Sequence, residues 1–184
     1  TFKVFKKRKV FFNHRPDQFD FNITNNYLKN DNYEKIKLKN LCSYNFNYIL
    51  VAGSGILNKK NIIKNKIINC HSGLIPSSRG LDSFKWAIKN QYQIGNTLHY
   101  IDEKVDLGKI ISHKTTNIFK NDNLQKFALR HYKSEIDMLS NFEYYLKNKE
   151  TIKLKKSNAN LRMRYLDEKN LFNDFKKYKK KYLN

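Results

Sequence analysis

Tyr48-Ile49-Leu50-Val51-Ala52 runs straight into Gly53-Ser54-Gly55, and Lys66-Ile67-Ile68-Asn69-Cys70-His71 follows a few residues later. The first is a short, continuous apolar run closed by glycines. It reads as a strand buried on both faces, as in a parallel sheet. The second is a strand that delivers polar side chains at its carboxyl end, where open α/β sheets place their ligands. Together they predict an α/β domain: a mostly parallel sheet with flanking helices.

Working outward, Ser72-Gly73-Leu74-Ile75-Pro76-Ser77-Ser78-Arg79-Gly80 has the glycine, proline and serine content of a loop. Asp82 or Ser83 is placed to cap a helix reaching about Asn90, with Phe84, Ala87 and Ile88 on one side. Thr97–Ile101 alternates like a strand, 102–108 is a polar loop, and a further strand begins at Lys109. Leu124, Phe127, Ala128, Tyr132, Ile136, Leu139, Phe142 and Leu146 recur at helical spacing, which predicts one amphipathic helix over Leu124–Leu146. Thr151–Leu154 has strand character, and a basic, aromatic helix is expected from about Asn170. Residues 1–45 carry weaker signals: a turn at His14-Arg15-Pro16-Asp17 and a short helix over Tyr33–Leu41. The expected organisation is a catalytic domain over 1–146, with a basic C-terminal extension over 147–184 packing on it. Thr1 is not an initiator residue, so the natural chain is expected to extend upstream.

With 184 residues, 40% of them hydrophobic and 14% aromatic, the chain has the material for one well-buried core and is not of the disordered class. Its formal charge of +21 is compatible with a nucleic-acid partner or an anionic substrate. The lysines are diffuse, however, and sit among abundant Asn, Ile, Tyr and Phe, whose codons are A/T-rich. Base composition therefore accounts for much of the excess, and a nucleic-acid partner is not expected. Two cysteines and no Cys/His cluster argue against a disulfide scaffold or a structural zinc, so no metal is expected. No apolar run reaches the roughly 18–20 residues of a membrane span, and the basic start lacks the apolar stretch of a signal peptide. The expectation is a reduced, cytoplasmic protein.

Asn69 and His71 are two apart, so on a strand their side chains share a face. An amide and an imidazole on one face can bind a developing oxyanion and move a proton, the two requirements of acyl transfer to an amine. Asp106, in Val105-Asp106-Leu107-Gly108, is a candidate carboxylate to hold the imidazole. Each piece alone also fits a blander role: Asn-x-His as a loop cap, and Asp102, Glu103 and Asp106 as a solvated loop. Trp86 fits core packing, His99 a structural position in its strand, and Cys70 a small buried residue.

In series, these pieces resemble the formyltransferase family that uses 10-formyltetrahydrofolate. The matching elements are Asn69-Cys70-His71, then Ser72-Gly73-Leu74-Ile75-Pro76, Arg79-Gly80, Trp86-Ala87-Ile88, Thr97-Leu98-His99-Tyr100-Ile101-Asp102-Glu103 and Val105-Asp106-Leu107-Gly108. The resemblance covers about 46–112. It implies the Rossmann-like fold of that family's N-terminal domain, with the N-terminal part here short, divergent or truncated. It implies catalysis by Asn69, His71 and Asp106. It also implies a 10-formyltetrahydrofolate co-substrate held largely by backbone in two loops: Gly53, Ser54, Gly55, Ile56 and Leu57 in one, Ile101, Asp102 and Val105 in the other. Ser72, Gly73 and Arg79 would meet the acceptor.

Arg79-Gly80-Leu81-Asp82-Ser83 and Thr97–Lys104 look most like the sugar N-formyltransferase branch, which implies a nucleotide-linked amino sugar as partner, with a homodimer allowed. Methionyl-tRNA and glycinamide ribonucleotide formyltransferases are the alternatives within the family; the former carry a C-terminal β-domain for which 147–184 is short. A basic nucleic-acid-binding module is the alternative of a different class.

Overall fold

In the computed structural model of the chain, the residues described are 10–15, 36–52, 57, 62, 66–103 and 106–183. The strands and helices are β1 (Ile49–Val51), β2 (Ile67–His71), β3 (Arg79–Gly80), α1 (Ser83–Lys89), β4 (Gly95–Tyr100), β5 (Ile110–Thr115), α2 (Leu124–Ser140), α3 (Phe142–Lys147), β6 (Ala159–Asn160), α4 (Tyr165–Glu168) and α5 (Leu171–Leu183). A 3-10 turn, Leu38–Ser43, precedes them, partly overlapping the helix expected over Tyr33–Leu41.

The main sheet runs β1-β2-β4-β5. Its β1–β2 pair is parallel, as the apolar runs predict, whereas β2–β4 and β4–β5 are antiparallel. The described sheet is thus mixed rather than mostly parallel. The reason is local: α1 and its loops return the chain to the same, carboxyl, end of β2, so β4 enters beside His71 (Thr97 opposite) and leaves beside Ile68 (Tyr100 opposite).

Side-chain alternation in β2 and β4 divides the molecule. Ile68, Cys70 and Leu98 face one way and form an apolar cluster with Ile111 and Met138 of α2. Asn69, His71, Thr97 and His99 take the other face. A second cluster, including Phe84 and Ile88 of α1, Leu124 and Phe127 of α2, and Leu171, Phe175 and Tyr178 of α5, packs the helices together. Apolar burial of this kind contributes about 1.5–3 kcal/mol per large side chain.

The long helix expected over 124–146 is two helices. Asn123 caps α2 by accepting the Lys126 N–H at 2.8 Å, but Asn141 folds its amide back onto the Asp137 carbonyl at 3.0 Å and the chain turns into α3. Thr151–Leu154 forms no strand. It runs beside β5, where the Ile152 N–H finds the His113 ring at 2.9 Å in place of a ladder partner. The strand in the tail is β6 instead, parallel to β3 with Arg79 opposite Ala159 and Gly80 opposite Asn160.

This pairing joins the tail to the loop after β2. Ser157 donates its N–H to Pro76 O at 3.0 Å and its hydroxyl to Ser77 O at 2.7 Å, while Arg79 donates to Ser157 O at 3.1 Å. Asp82 sits at the N-cap of α1, yet its carboxylate accepts the Met163 N–H at 2.9 Å rather than capping the helix. Trp86 donates its indole N–H to Leu161 O, and a buried Lys85–Glu168 ion pair closes the seam, both at 2.7 Å.

Candidate active site

β2 is flanked by β1 and β4, and ladders on both sides fix its register: Asn69 lies between Val51 and His99, and His71 beside Thr97. The expected placement of Asn69 and His71 at the carboxyl end of a central strand is therefore observed. Asp106 arrives from the other direction. The segment after β4 starts beside Ile67, to which Ile101 donates its N–H at 2.8 Å, and by Asp106 it has reached His71. The Asp106 Oδ1–His71 Nδ1 separation is 3.6 Å, with both side chains largely buried.

Two glycines make this approach geometrically possible. Asp106 takes the left-handed conformation, φ 50°, and its Oδ2 accepts the Gly80 N–H at 2.7 Å. Gly80 itself has φ 83°, and a Cβ there would lie 2.3 Å from Asn160 O. A Cβ on Gly108 would lie 1.7 Å from Tyr100 O, so no other residue fits that return turn unshifted.

His71 is almost wholly buried, and desolvation pushes its pKa below the ordinary histidine value. The Asp106 carboxylate pulls it back up, as does the bond to Ser78 O, while Arg15 and Arg79 lower it. The Nε2 atom lies 3.0 Å from both Ser78 O and Ser83 Oγ.

Asn69 is oriented by His99, its cross-strand neighbour. The His99 Nδ1–H donates to Tyr100 O at 3.0 Å, so Nε2 carries the lone pair that accepts the Asn69 amide at 3.3 Å. Burial drives the His99 pKa down to about 4, consistent with a neutral acceptor ring. The His71 and His99 rings meet edge to face with centroids 6.4 Å apart. The site thus presents an amide with an assigned orientation, an imidazole and a carboxylate within one small buried region.

The remaining expected site residues divide into groups. Ser72 points inward, 2.9 Å from His131 Nε2, and His131 in turn contacts Thr116 Oγ1 at 2.8 Å. Gly73 closes a tight turn onto His71 O at 2.9 Å, and Thr97 Oγ1 donates to Gly73 O at 2.7 Å and accepts the Ile75 N–H at 2.9 Å. Arg79 is buried against the tail. Leu57, Ile101 and Asp102 are half-buried. Gly53, Ser54, Gly55, Ile56 and Val105 lie outside the described residues. No group of three or more His, Cys, Asp or Glu able to hold a metal occurs among the described residues, and no described helix is long and apolar enough to cross a membrane.

Sequence reasoning missed two contributors. His99 is a partner of Asn69, which the β2–β4 register would have revealed once the pair was known to be antiparallel. Ser83 meets His71 across 12 residues of chain, and nothing in the spacing signals it.

The fold and this constellation place an amide, an imidazole and a carboxylate together at the end of a strand in an α/β domain. The formyl transferase family matches residues 4–142, and the chain belongs to that family. The match extends to the amino-terminal side of the motifs, into the segment whose own signals are weak. Phosphoribosylglycinamide formyltransferase of Bacillus subtilis is 38% identical over 71 residues, 38% of this chain and 36% of that protein. Methionyl-tRNA formyltransferase of Thermodesulfovibrio yellowstonii is 34% identical over 105 residues, 55% of this chain and 33% of that protein. The matches thus span about a third of the length of these two relatives. Among solved structures, a formyltransferase from Anoxybacillus kamchatkensis, in complex with UDP-4,6-dideoxy-4-formamido-L-AltNAc and tetrahydrofolate, superposes with a TM-score of 0.54 at 21% identity, covering 74% of each chain.

Proposed function

We propose that the protein transfers a formyl group from 10-formyltetrahydrofolate to the amino group of a nucleotide-linked amino sugar. The observation that carries the reading is the His71–Asp106 pair beside Asn69 at the end of β2, in a chain of the formyl transferase family. The donor set fits a formyl acceptor reaction: an amide N–H for charge developing on oxygen, and an imidazole backed by a carboxylate for the proton.

The folate supplies the formyl carbon. The acceptor amine forms the new C–N bond with its lone pair, the bond from that carbon to the folate nitrogen breaks, and one proton passes from the amine to that nitrogen. Asn69 donates to the formyl oxygen as it gains charge, an effect worth about 2.7–4 kcal/mol for one such donor. His71 takes the proton from the attacking nitrogen and returns it to the departing one. Asp106 stabilises the imidazolium between those events.

A nucleotide-linked sugar acceptor is supported by the Arg79–Ser83 and Thr97–Lys104 sequences and by the ligand in the superposing Anoxybacillus structure. The sequence relatives supply the competing acceptors, glycinamide ribonucleotide and methionyl-tRNA. Release of tetrahydrofolate is measured with 10-formyltetrahydrofolate and a panel of nucleotide-linked amino sugars, alongside both competitors. Turnover confined to an amino sugar supports the proposal, and turnover only with the ribonucleotide or the tRNA overturns the sugar assignment. Calorimetry with 5-formyltetrahydrofolate tests the donor site separately: Gly53→Val should weaken binding by about 1–3 kcal/mol, the usual effect of overfilling a fitted site.

A further inference from the structure

We propose that Ser83 is a positioning residue for His71, one that together with Ser78 O holds the imidazole with hydrogen on Nε2 and leaves Nδ1 as the atom that takes and returns the proton. The proposal rests on the reading of His71 as the acid–base group of formyl transfer.

The donors and acceptors around one nitrogen fix where its hydrogen lies. Ser78 O lies 3.0 Å from His71 Nε2 and has only lone pairs to offer. Ser83 Oγ lies at the same distance, and its proton is committed elsewhere: it donates to Gly80 O at 2.8 Å. Nε2 therefore faces two acceptors, which requires it to carry hydrogen in the neutral and the charged ring alike. The lone pair of the neutral ring is then on Nδ1, the nitrogen 3.6 Å from Asp106 Oδ1. That distance is too long for a direct N–H···O bond but close enough for the carboxylate to favour protonation there.

The surroundings are built for this contact. Ser83 is 3% exposed, so its hydroxyl has little water to bond to. Gly73 leaves the opening: a Cβ on it would lie 2.9 Å from Ser83 Cβ and 3.0 Å from His71 Nε2. Ser78 completes a reciprocal link, its hydroxyl donating to Ser83 O at 3.2 Å. A bond to the imidazolium is stronger than one to the neutral ring, so Ser83 also favours the charged form. The other charged or titratable groups that act on His71 are Asp106, which favours that form, Arg15 and Arg79, which oppose it, and the neighbouring ring of His99.

The test uses the full chain with Ser83→Ala, which removes the acceptor, and Ser83→Thr, which keeps it. Long-range proton–nitrogen correlation spectra distinguish a protonated ring nitrogen from a bare one. In the unsubstituted protein and Ser83→Thr, neutral His71 should show protonated Nε2 and bare Nδ1, and in Ser83→Ala, where Ser78 O remains as acceptor, that tautomer should persist. In turnover, Ser83→Ala should lower kcat about tenfold, the effect of one hydrogen bond of about 1.4 kcal/mol, with KM little changed. The His71 limb of its pH profile should move to lower pH, and Ser83→Thr should restore both.

A protonated Nδ1 in the neutral unsubstituted protein overturns the proposal. So does a Ser83→Ala protein that loses stability but keeps kcat and the pH limb unchanged. Absence of turnover with every acceptor would remove the formyl-transfer reading instead, and the spectra would still decide the role of Ser83.

Discussion

His71 and Asp106 reach the same point by different means. His71 stands on β2, which is paired with β1 over Ile67–Asn69 and with β4 over Ile68–His71, so many hydrogen bonds set the strand's position and no single one decides it. Asp106 stands on a turn, in a left-handed conformation, held by the Gly80 N–H and by the return of the chain past Gly108. The strand half of the site should therefore separate chemistry from folding when altered, whereas the turn half should lose both together.

The largest expected effect falls on the turn. Gly108→Ala places a methyl 1.7 Å from Tyr100 O, and this chain should lose about 3 kcal/mol of stability, the upper range for overpacking, as read by urea unfolding. On the strand, His71→Asn should reduce turnover at least about a hundredfold while the unfolding midpoint changes little. Asp106→Ala should match that loss and also destabilise, because the Gly80 N–H loses its acceptor; Asp106→Asn should recover the stability without the activity. Equal midpoints for the two Asp106 variants would break the comparison.

A smaller effect is expected where the strand supports the loop. Thr97→Val leaves the Ile75 N–H and Gly73 O without their shared partner, which should cost about 1–3 kcal/mol in the same unfolding experiment. The last effect concerns acid and is graded with pH. Burial lowers the pKa of all five histidines, to about 3 for His14 and His131 and about 4 for His99. His14, His99 and His131 stay neutral in the fold down to those values and take up a proton on unfolding below the ordinary 6.5, so the unfolded state binds more protons and gains as pH falls. Stability should be fully present above pH 6.5 and decline toward pH 3–4, with a slope approaching about 1.4 kcal/mol per pH unit per histidine. A flat unfolding free energy between pH 7 and 5 would contradict the neutral rings at the centre of the site.

The same contrast explains how much of the protein was legible in its residues. β1, β2, β4, α1 and α5 are marked by apolar runs or periods that burial itself imposes, and Asn69 and His71 stand out because polar groups interrupt such a run. Asp106 was found through its glycine turn. The strand directions were not legible, since a buried strand has the same composition in either sense; the antiparallel β2–β4 pair, and with it the His99–Asn69 bond, followed only from the register. Periodicity also runs past Asn141, because a helix end made by one side chain folding onto Asp137 leaves the apolar spacing intact. Ser83 and the β3–β6 pair depend on contacts between distant segments, and no local pattern encodes those.

The β3–β6 pairing sets an order of events during synthesis. Arg79 and Ser157 are 78 positions apart, and Leu81 donates its N–H to Asn160 O at 2.9 Å. A nascent chain that has left the ribosome only as far as α3 holds Asn69, His71 and Asp106 but lacks every tail partner of Pro76, Ser77, Arg79 and Leu81. Its main sheet can assemble while the loop next to the imidazole is still open to water. The loop beside the site is thus among the last parts of the described fold to gain its partners.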